Sequence, residues 1–144
     1  MLFRSFVQGL IGFRREQPTV RRKNYLTGMP IDGRMIPDVS WYSPDGHNLD
    51  WAQHELAMVA YITAPSRIDD PEGLGRDIVL MFNSTGQTRE FQLPTVGRGM
   101  QWRQFVDTAA ESPEDIYPDL DGPIVDGNAI PMPHHSLKVF VSQA

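Results

Sequence analysis

Histidines and carboxylates lie close together in one stretch of the chain, at His47, Asp50, His54 and Glu55. Imidazole nitrogens and carboxylate oxygens are the mixture of ligands found in catalytic zinc sites. A motif such as HExxH fixes these ligands on one face of a helix, and no motif of that kind occurs here. We therefore expect solvated loop residues at these positions, with no metal site and no cofactor.

A second histidine pair, His134-His135, stands in a proline-flanked turn ahead of Ser136 and Ser142. Adjacent residues of an extended chain point to opposite sides, so one metal ion cannot easily be held by both imidazoles. A serine with His135 and an aspartate outlines a hydrolase triad, but the Gly-x-Ser-x-Gly elbow of such enzymes is missing. We expect no nucleophilic site here.

Gly97-Arg98-Gly99 resembles a phosphate loop only superficially, because the Lys-Ser/Thr pair and the following helix are missing. A tight turn explains these residues. The chain also contains no cysteine, which excludes a thiolate nucleophile, a CxxC redox pair, iron–sulfur ligation and disulfides. That composition is compatible with a cytoplasmic protein, which is the location we expect.

Three aromatic residues lie close to a Pro-Asp-Gly turn, at Trp41, Tyr42 and Trp51. Exposed aromatic rings are platforms on which sugar rings stack, so these residues are candidates for carbohydrate binding. The alternative is that Trp41 and Trp51 fill the core, and we favour it because large aromatic side chains are usually mostly buried. The same interpretation applies to Trp102.

The first element of the chain is predicted to be an amphipathic helix. Apolar residues recur there at steps of three and four: Leu2, Phe3, Phe6, Val7, Leu10, Ile11 and Phe13. Arg14 and Arg15 suit a helix C-terminus and Pro18 stops the helix, so we end it near Glu16. A secretory signal is the less favoured interpretation, since Gln8 breaks the apolar run and no small-residue cleavage site follows it.

The rest of the chain has the texture of an all-β domain, with short β-branched and aromatic runs between turn residues. Seven strands are predicted: Asp38–Ser43, Leu56–Thr63, Asp77–Asn83, Thr88–Leu93, Gln101–Thr108, Ile124–Pro131 and Ser136–Ser142. Residues 83–87 read as a short hairpin connection, and the acidic, proline-broken stretch Glu111–Gly122 reads as an exposed loop. The prediction is a mainly β chain, an antiparallel sandwich preceded by one helix, divided as helix 1–17, linker 18–37 and sandwich 38–144.

A lone helix before a sandwich needs a cover for its apolar face, because a sandwich already buries its own inner faces. The helix can pack on the outer face or edge of the sandwich, pair with a second copy, or belong with a neighbouring domain. The sequence pattern leaves these three solutions open.

The charge is unevenly distributed, with +5 over residues 1–23 and −10 over the remainder. An acidic domain body argues against a surface that tracks phosphates, so we expect no nucleic-acid partner. We read the basic cluster Arg21-Arg22-Lys23 as a solvated helix end and assign it no site. No apolar run approaches the roughly 20 residues that span a bilayer, so no membrane partner is expected.

Two segments resemble one enzyme family. The run Phe6–Pro18, with its Arg14-Arg15 pair and following arginines, is similar to the last barrel helix of isoamylase-type glycogen debranching enzymes, members of the α-amylase superfamily (glycoside hydrolase family 13). The Asp38–Trp41 strand, Pro44-Asp45-Gly46 and Asp50-Trp51 resemble the entry to their C-terminal β-sandwich. The later strands agree more loosely.

The resemblance implies a C-terminal sandwich without the barrel that carries the catalytic Asp, Glu and Asp, so no catalytic residue is expected in this chain. Glycoside hydrolysis also needs two carboxyl groups flanking a cleft, one of them with a raised pKa, whereas the acidic residues here fall chiefly in turns. The parent reaction would be hydrolysis of α-1,6-glucosidic branch points in glycogen catabolism.

Under that resemblance the helix face would pack on a catalytic barrel, in cis or in trans. The packing residues would be Leu2, Phe3, Phe6, Val7, Leu10 and Phe13. Without a barrel, the helix would self-associate or fold onto its own sheet. The alternative function is an independent α-glucan-binding module that uses Trp41, Tyr42 and Trp51.

Overall fold

The computed structural model describes residues 2–30, 35–53 and 56–144, with the backbone alone at Leu2. The elements are α1 (Leu2–Glu16), a 3-10 helix (Pro18–Val20), β1 (Val39–Tyr42), β2 (Ala57–Ile62), β3 (Ile78–Asn83), β4 (Arg89–Gln92), β5 (Gln101–Asp107), β6 (Ala129–Met132) and β7 (Ser136–Gln143). The predicted class, a mainly β chain with one N-terminal helix, is therefore confirmed. None of the helices in these ranges is long and apolar enough to cross a bilayer.

Two antiparallel sheets form a sandwich. The larger has the strand order β1-β2-β3-β7-β5, and the smaller pairs β4 with β6. The core between them is built from alternate residues of both sheets, with Met81 and Phe140 on one side and Phe91 and Met132 on the other. These side chains are at most 1% exposed. The period-two alternation seen in the sequence thus supplies the inner face.

The predicted hairpin between β3 and β4 is wrong, because these two strands lie in different sheets. The fully buried Asn83 ends β3 and directs the chain across the sandwich. Its Nδ2 donates to the carbonyl oxygens of Gln87 and Met132, both at 3.0 Å, and its Oδ1 accepts from the Thr85 amide at 3.1 Å. An asparagine side chain that binds the backbone two residues later stabilises a turn, and here it stabilises a change of sheet.

The open edge of β5 is covered by two irregular segments. One of them was predicted as the start of a strand and the other as an exposed loop. Ile124 forms only an isolated bridge with Arg103, and Gly127, at φ +79°, precedes β6, which begins at Ala129 rather than at Ile124. In the stretch predicted to be an exposed loop, Ile116 bridges to Val106 and is only 7% exposed. Because the residues around Ile116 are acidic, the sequence gave no indication that this position belongs to the core.

Helix α1 packs on the outer face of the larger sheet. Phe6 and Phe13 contact the second core cluster, which includes Ile78, Phe105 and Val141, and the rings of Phe13 and Phe105 stack at 4.3 Å between centroids. A Cβ at Gly9 would come within 2.7 Å of Cδ1 of Ile116. Of the three solutions left open by the sequence, the described structure therefore shows the helix on its own sheet.

The first residues after the helix are bonded to the sandwich. Gln17 and Thr19 are buried. Thr19 Oγ1 donates to the Arg76 carbonyl at 2.6 Å, and Gln17 Oε1 accepts from the Arg76 amide at 3.1 Å. The segment predicted as a linker, residues 18–37, is therefore bonded to the sandwich near its start, at Thr19, and we call this segment the connector. The division of the chain into helix 1–17, linker 18–37 and sandwich 38–144 stays a prediction.

Candidate functional site

The apolar stripe of α1 is wider than the strip that the sheet covers. Phe6 and Phe13 lie against the sheet, whereas Phe3, Leu10 and Ile11 are 80%, 37% and 47% exposed. Val7 is partly buried, and Leu2 contributes no described side chain. An apolar helix face that is only partly covered is a candidate contact surface.

The outer face of the larger sheet continues this apolar character beside the helix. Cross-strand partners share a face, and the register places Trp41, Ala60, Leu80 and Val139 in one row. A parallel row holds Met58, Phe82 and Leu137, all only partly buried. Leu80 and Leu137 pack with the same cluster as Phe6 and Phe13, so both rows lie on the helix side of the sheet. Ala60 and Val139 are already buried. We call the other members of these rows, together with the exposed helix residues, the outer apolar surface; they are Trp41, Leu80, Met58, Phe82 and Leu137.

Two of the three candidate sugar-stacking residues come together at the edge of this face. The rings of Trp41 and Trp51 meet edge to face, with centroids 5.4 Å apart and planes at 70°. Trp41 is 38% exposed and Trp51 67% exposed, so the expectation that both fill the core is wrong. Trp102 does fill the core, with its Nε1 donating to the Pro94 carbonyl at 2.8 Å.

Tyr42 is separated from the two tryptophans because it follows Trp41 on the same strand and points to the opposite face. It is partly buried and packs against the inner core cluster. The structure thus divides the predicted aromatic patch into an exposed tryptophan pair and an inward tyrosine.

A groove of about 620 Å³, lined by both charged and apolar residues, lies between the connector and the loop after β2. Arg22 lies in it, with Nε donating to the Thr19 carbonyl at 3.1 Å and Nη2 donating to the Thr63 carbonyl. Burial lowers the pKa of the Arg22 guanidinium, and the charges of Asp38, Asp69 and Asp77 offset part of that effect. The position of Arg22 in a basic cluster after a helix gave no sign of these long-range partners, so no role was expected for it.

Acidic side chains also line this groove, but they are not arranged as a hydrolytic pair. Asp38 accepts from the amides of Thr27 and Gly28 at 2.8 and 2.7 Å. Burial acts to raise the pKa of Asp38, yet the donated amide bonds outweigh it and hold that pKa below its ordinary value. Asp70 accepts from the amides of Leu74 and Gly75 at 3.0 and 2.7 Å. The general acid of a glycosidase needs a raised pKa, which is the opposite of what is found at Asp38.

The histidine stretches are brought to no common centre. His47 Nε2 lies 3.9 Å from Asp45 Oδ2 at an exposed turn, and Asp50 Oδ1 accepts from the Ala52 amide. His54 and Glu55 lie outside the described residues. Across the residues that are described, no three histidine or carboxylate side chains are placed to hold a metal ion.

The serine and glycine motifs are used within the fold. Ser136 Oγ donates to the Pro133 carbonyl at 2.5 Å, and Ser142 Oγ accepts from the Asp77 amide at 2.9 Å. The rings of His134 and His135 only touch each other edge to face. Gly97 and Gly99 form the tight turn expected, with Gly99 at φ +78° and the Met100 amide bonded to the Gly97 carbonyl.

Comparison with known sequences decides the family. Residues 38–130, most of the sandwich, match the family described as "Isoamylase, C-terminal". The chain belongs to the isoamylase C-terminal domain family. It is 29% identical to an isoamylase of Flavobacterium sp. over 113 residues, which is 73% of this chain and 14% of that protein.

Two further relatives agree with this membership. An isoamylase of Pseudomonas amyloderamosa is 29% identical over 110 residues, 74% of this chain and 12% of that protein. "Isoamylase 3, chloroplastic" of Oryza sativa subsp. japonica is 29% identical over 117 residues, 81% of this chain and 12% of that protein. The isoamylase C-terminal domain thus matches only a small share of each relative's length. The family match begins at Asp38, so the similarity of α1 to a barrel helix stays a prediction.

Proposed function

We propose that this chain is the non-catalytic C-terminal sandwich of a debranching glycosidase, and that it stabilises a catalytic barrel, in cis or in trans, by covering part of that barrel's surface. The reaction served would be hydrolysis of α-1,6-glucosidic branch linkages in glycogen catabolism, in the cytoplasm. What supports this is the outer apolar surface, together with family membership and with relatives that are many times longer than the match.

The observation that carries the proposal is the split of the helix face. The ring of Phe13 stacks on Phe105, which fixes the helix on the sheet, while Phe3 on the same helix is 80% exposed. Fully burying such a phenylalanine releases about 1.5–3 kcal/mol. A rigidly held helix that presents apolar side chains is therefore suited to a second, larger packing partner.

The test titrates the purified chain with a separately produced isoamylase catalytic barrel and follows complex formation by sedimentation. We expect a one-to-one complex, and we expect Phe3→Ser with Leu10→Ser to weaken it at least tenfold. Gln8→Ser, at an exposed polar position of the same helix, is the matched control and should bind like the parent chain. Absence of a complex, or equal binding by all three proteins, would contradict the proposal.

The second candidate function is binding of α-glucan, and the exposed Trp41–Trp51 pair favours it. Affinity electrophoresis in gels containing glycogen measures this directly. We expect retardation that disappears in Trp41→Ala and Trp51→Ala but persists in Tyr25→Ala, which removes a connector tyrosine that is 96% exposed. Unretarded migration of the parent chain would exclude this function while leaving the barrel proposal standing.

A further inference from the structure

A second groove, of about 420 Å³, opens where the turn after β1 passes over the end of β4. Its volume falls within the range of small-molecule sites. We call it the amide groove, after the two amide side chains among its lining residues, Tyr42, Asp45, Gln92, Pro94, Thr95 and Asn128. It is separate from the groove that contains Arg22, and neither proposed function uses it.

The backbone around the amide groove is held by hydrogen bonds between separate segments. The Gln92 amide donates to the Pro44 carbonyl and the Leu93 amide donates to the Asn128 carbonyl, both at 2.7 Å. The turn itself is closed by the Ser43 amide on the His47 carbonyl at 2.8 Å. These bonds fix the three segments that carry the lining side chains, so a ligand would meet a preorganised site.

The polar side chains of the groove have unused bonding capacity. Within the described ranges, the side chains of Gln92, Thr95 and Asn128 make no hydrogen bond. Each amide offers two donor hydrogens and one acceptor oxygen, and the threonine hydroxyl offers both functions. A groove lined by side chains that both donate and accept matches the hydroxyl groups of a polyol, which do the same.

The charge of the groove limits the class of ligand. Asp45 supplies the one charged group among its lining residues, and no lysine or arginine is among them. The hydroxyl of Ser43 donates to Asp45 and lowers the pKa of that carboxyl, so it is ionised near neutrality and accepts hydrogen bonds only. His47 and Arg89 also act electrostatically on Asp45, but neither residue lines the groove. Among the lining residues, an anionic ligand would therefore meet only the carboxylate of Asp45, which repels it. A neutral ligand rich in hydroxyl groups satisfies both the carboxylate and the amides.

We propose that the amide groove is a binding site for a neutral sugar. The sugar's hydroxyl groups form hydrogen bonds with Asp45, Gln92 and Asn128, and one face of its ring packs against Tyr42. This site lies apart from the tryptophan pair. The choice of an α-glucan as the probe rests on the proposed function, whereas the class of ligand rests on the groove.

The experiment titrates the ¹⁵N-labelled chain with maltoheptaose and follows amide chemical shifts, with the Kd taken from the same titration. We expect saturable shifts at residues of the groove, centred on Gln92 and Asn128. A matched oligosaccharide of uronic acid should shift them at least tenfold more weakly, because its carboxylates meet Asp45.

Variants assign the shifts to side chains. Gln92→Ala with Asn128→Ala removes two hydrogen-bonding groups, so the Kd should rise about tenfold. Gln53→Ala with Asn24→Ala, at exposed amides outside the groove, is the control and should leave the Kd unchanged. Should the double variant unfold, the exposed Asn128→Ala alone carries the test, with a Kd rise of about threefold.

Three results would overturn the amide-groove proposal. They are the absence of saturable shifts with maltoheptaose, shifts that centre on Trp41 and Trp51 and vanish in the tryptophan variants alone, and equal affinity for the acidic oligosaccharide. None of these outcomes bears on assembly with a barrel, which the sedimentation experiment measures independently.

Discussion

On its inner face the larger sheet meets the β4–β6 pair, and Val59, Val79 and Met81 are each 0% exposed. On the outer face the helix covers the region around Phe105, while Leu80 and Phe82 stay only partly buried. Both faces carry apolar side chains at alternate positions, so the strands alone do not distinguish them. The difference shows that the inner face is fully packed within the domain, whereas part of the apolar outer face stays exposed.

The largest expected effect is the difference in unfolding free energy between substitutions on the inner and the outer face of the larger sheet. Phe140 is 1% exposed in the inner core, and Phe140→Ala should lower the free energy of unfolding by about 3–5 kcal/mol. Phe13 is only partly buried, and Phe13→Ala should cost about 1–2 kcal/mol. Urea unfolding measures both variants. Equal costs would mean that the outer face is as essential to folding as the inner one.

The next effect concerns the end of the connector, where the Asp38 carboxylate accepts hydrogen bonds from the amides of Thr27 and Gly28. Asp38→Asn should lower the free energy of unfolding by about 2 kcal/mol at pH 7. Because the folded pKa of Asp38 is lowered, its stabilisation is present above the unfolded value of about 3.9 and is lost as the pH falls from there through the folded pKa.

Urea unfolding between pH 2 and pH 7 checks this dependence. The parent chain should lose this contribution below about pH 4, and Asp38→Asn should lack that part of the slope. Asp126→Asn, at an exposed position, serves as the control and should follow the parent curve. A parallel pH profile for Asp38→Asn would contradict the bonding assigned to the connector.

Two helix glycines offer a finer comparison, since only Gly9 lies against another part of the domain, the Ile116 segment beside β5. A Cβ added at Gly12 would meet no heavy atom within 4 Å, so Gly12→Ala should stabilise the chain by about 0.5–1 kcal/mol through helix propensity. Gly9→Ala should gain less or lose stability, because its Cβ would meet Ile116 at 2.7 Å. Equal gains in thermal unfolding would show that the helix does not lie closely on the Ile116 segment.

The smallest effect is expected at the exposed half of the helix. Phe3→Ser should change the free energy of unfolding by less than about 0.5 kcal/mol, because the ring is 80% exposed. The same variant should reduce any concentration-dependent association seen by light scattering. A large loss of stability would place Phe3 in the domain core instead of at a contact surface.

Elements of the fold were predictable wherever a local pattern determines them. The helix ends at Glu16 as Pro18 indicates, and each of the seven predicted strands has a counterpart in the structure. The pairing of β3 was not predictable from the neighbouring residues, because Asn83 binds Met132 far along the chain. Local turn residues resemble each other whether the chain returns to the same sheet or crosses to the other.

The candidate surfaces were predictable only in part. The helix stripe was visible in the sequence, but the division between Phe13 and Phe3 depends on where the sheet lies under it. Trp41 and Tyr42 look equivalent in sequence, and the pleat of β1 sends them to opposite faces. The role of Arg22 depends on Thr63, 41 residues further along the chain, and that of Asp38 on a turn 10 and 11 residues before it. Residue type alone gave no sign of either.

The bonds from Gln17 and Thr19 to Arg76 have a mechanical consequence. They join the C-terminal end of α1 to the residues just before β3, a central strand of the larger sheet. Because these bonds join the end of the helix directly to the sandwich, a displacement of the helix would displace the sandwich with it. A partner that packed on Phe3 and Leu10, as proposed, would therefore be oriented relative to the whole sandwich and not to the helix alone.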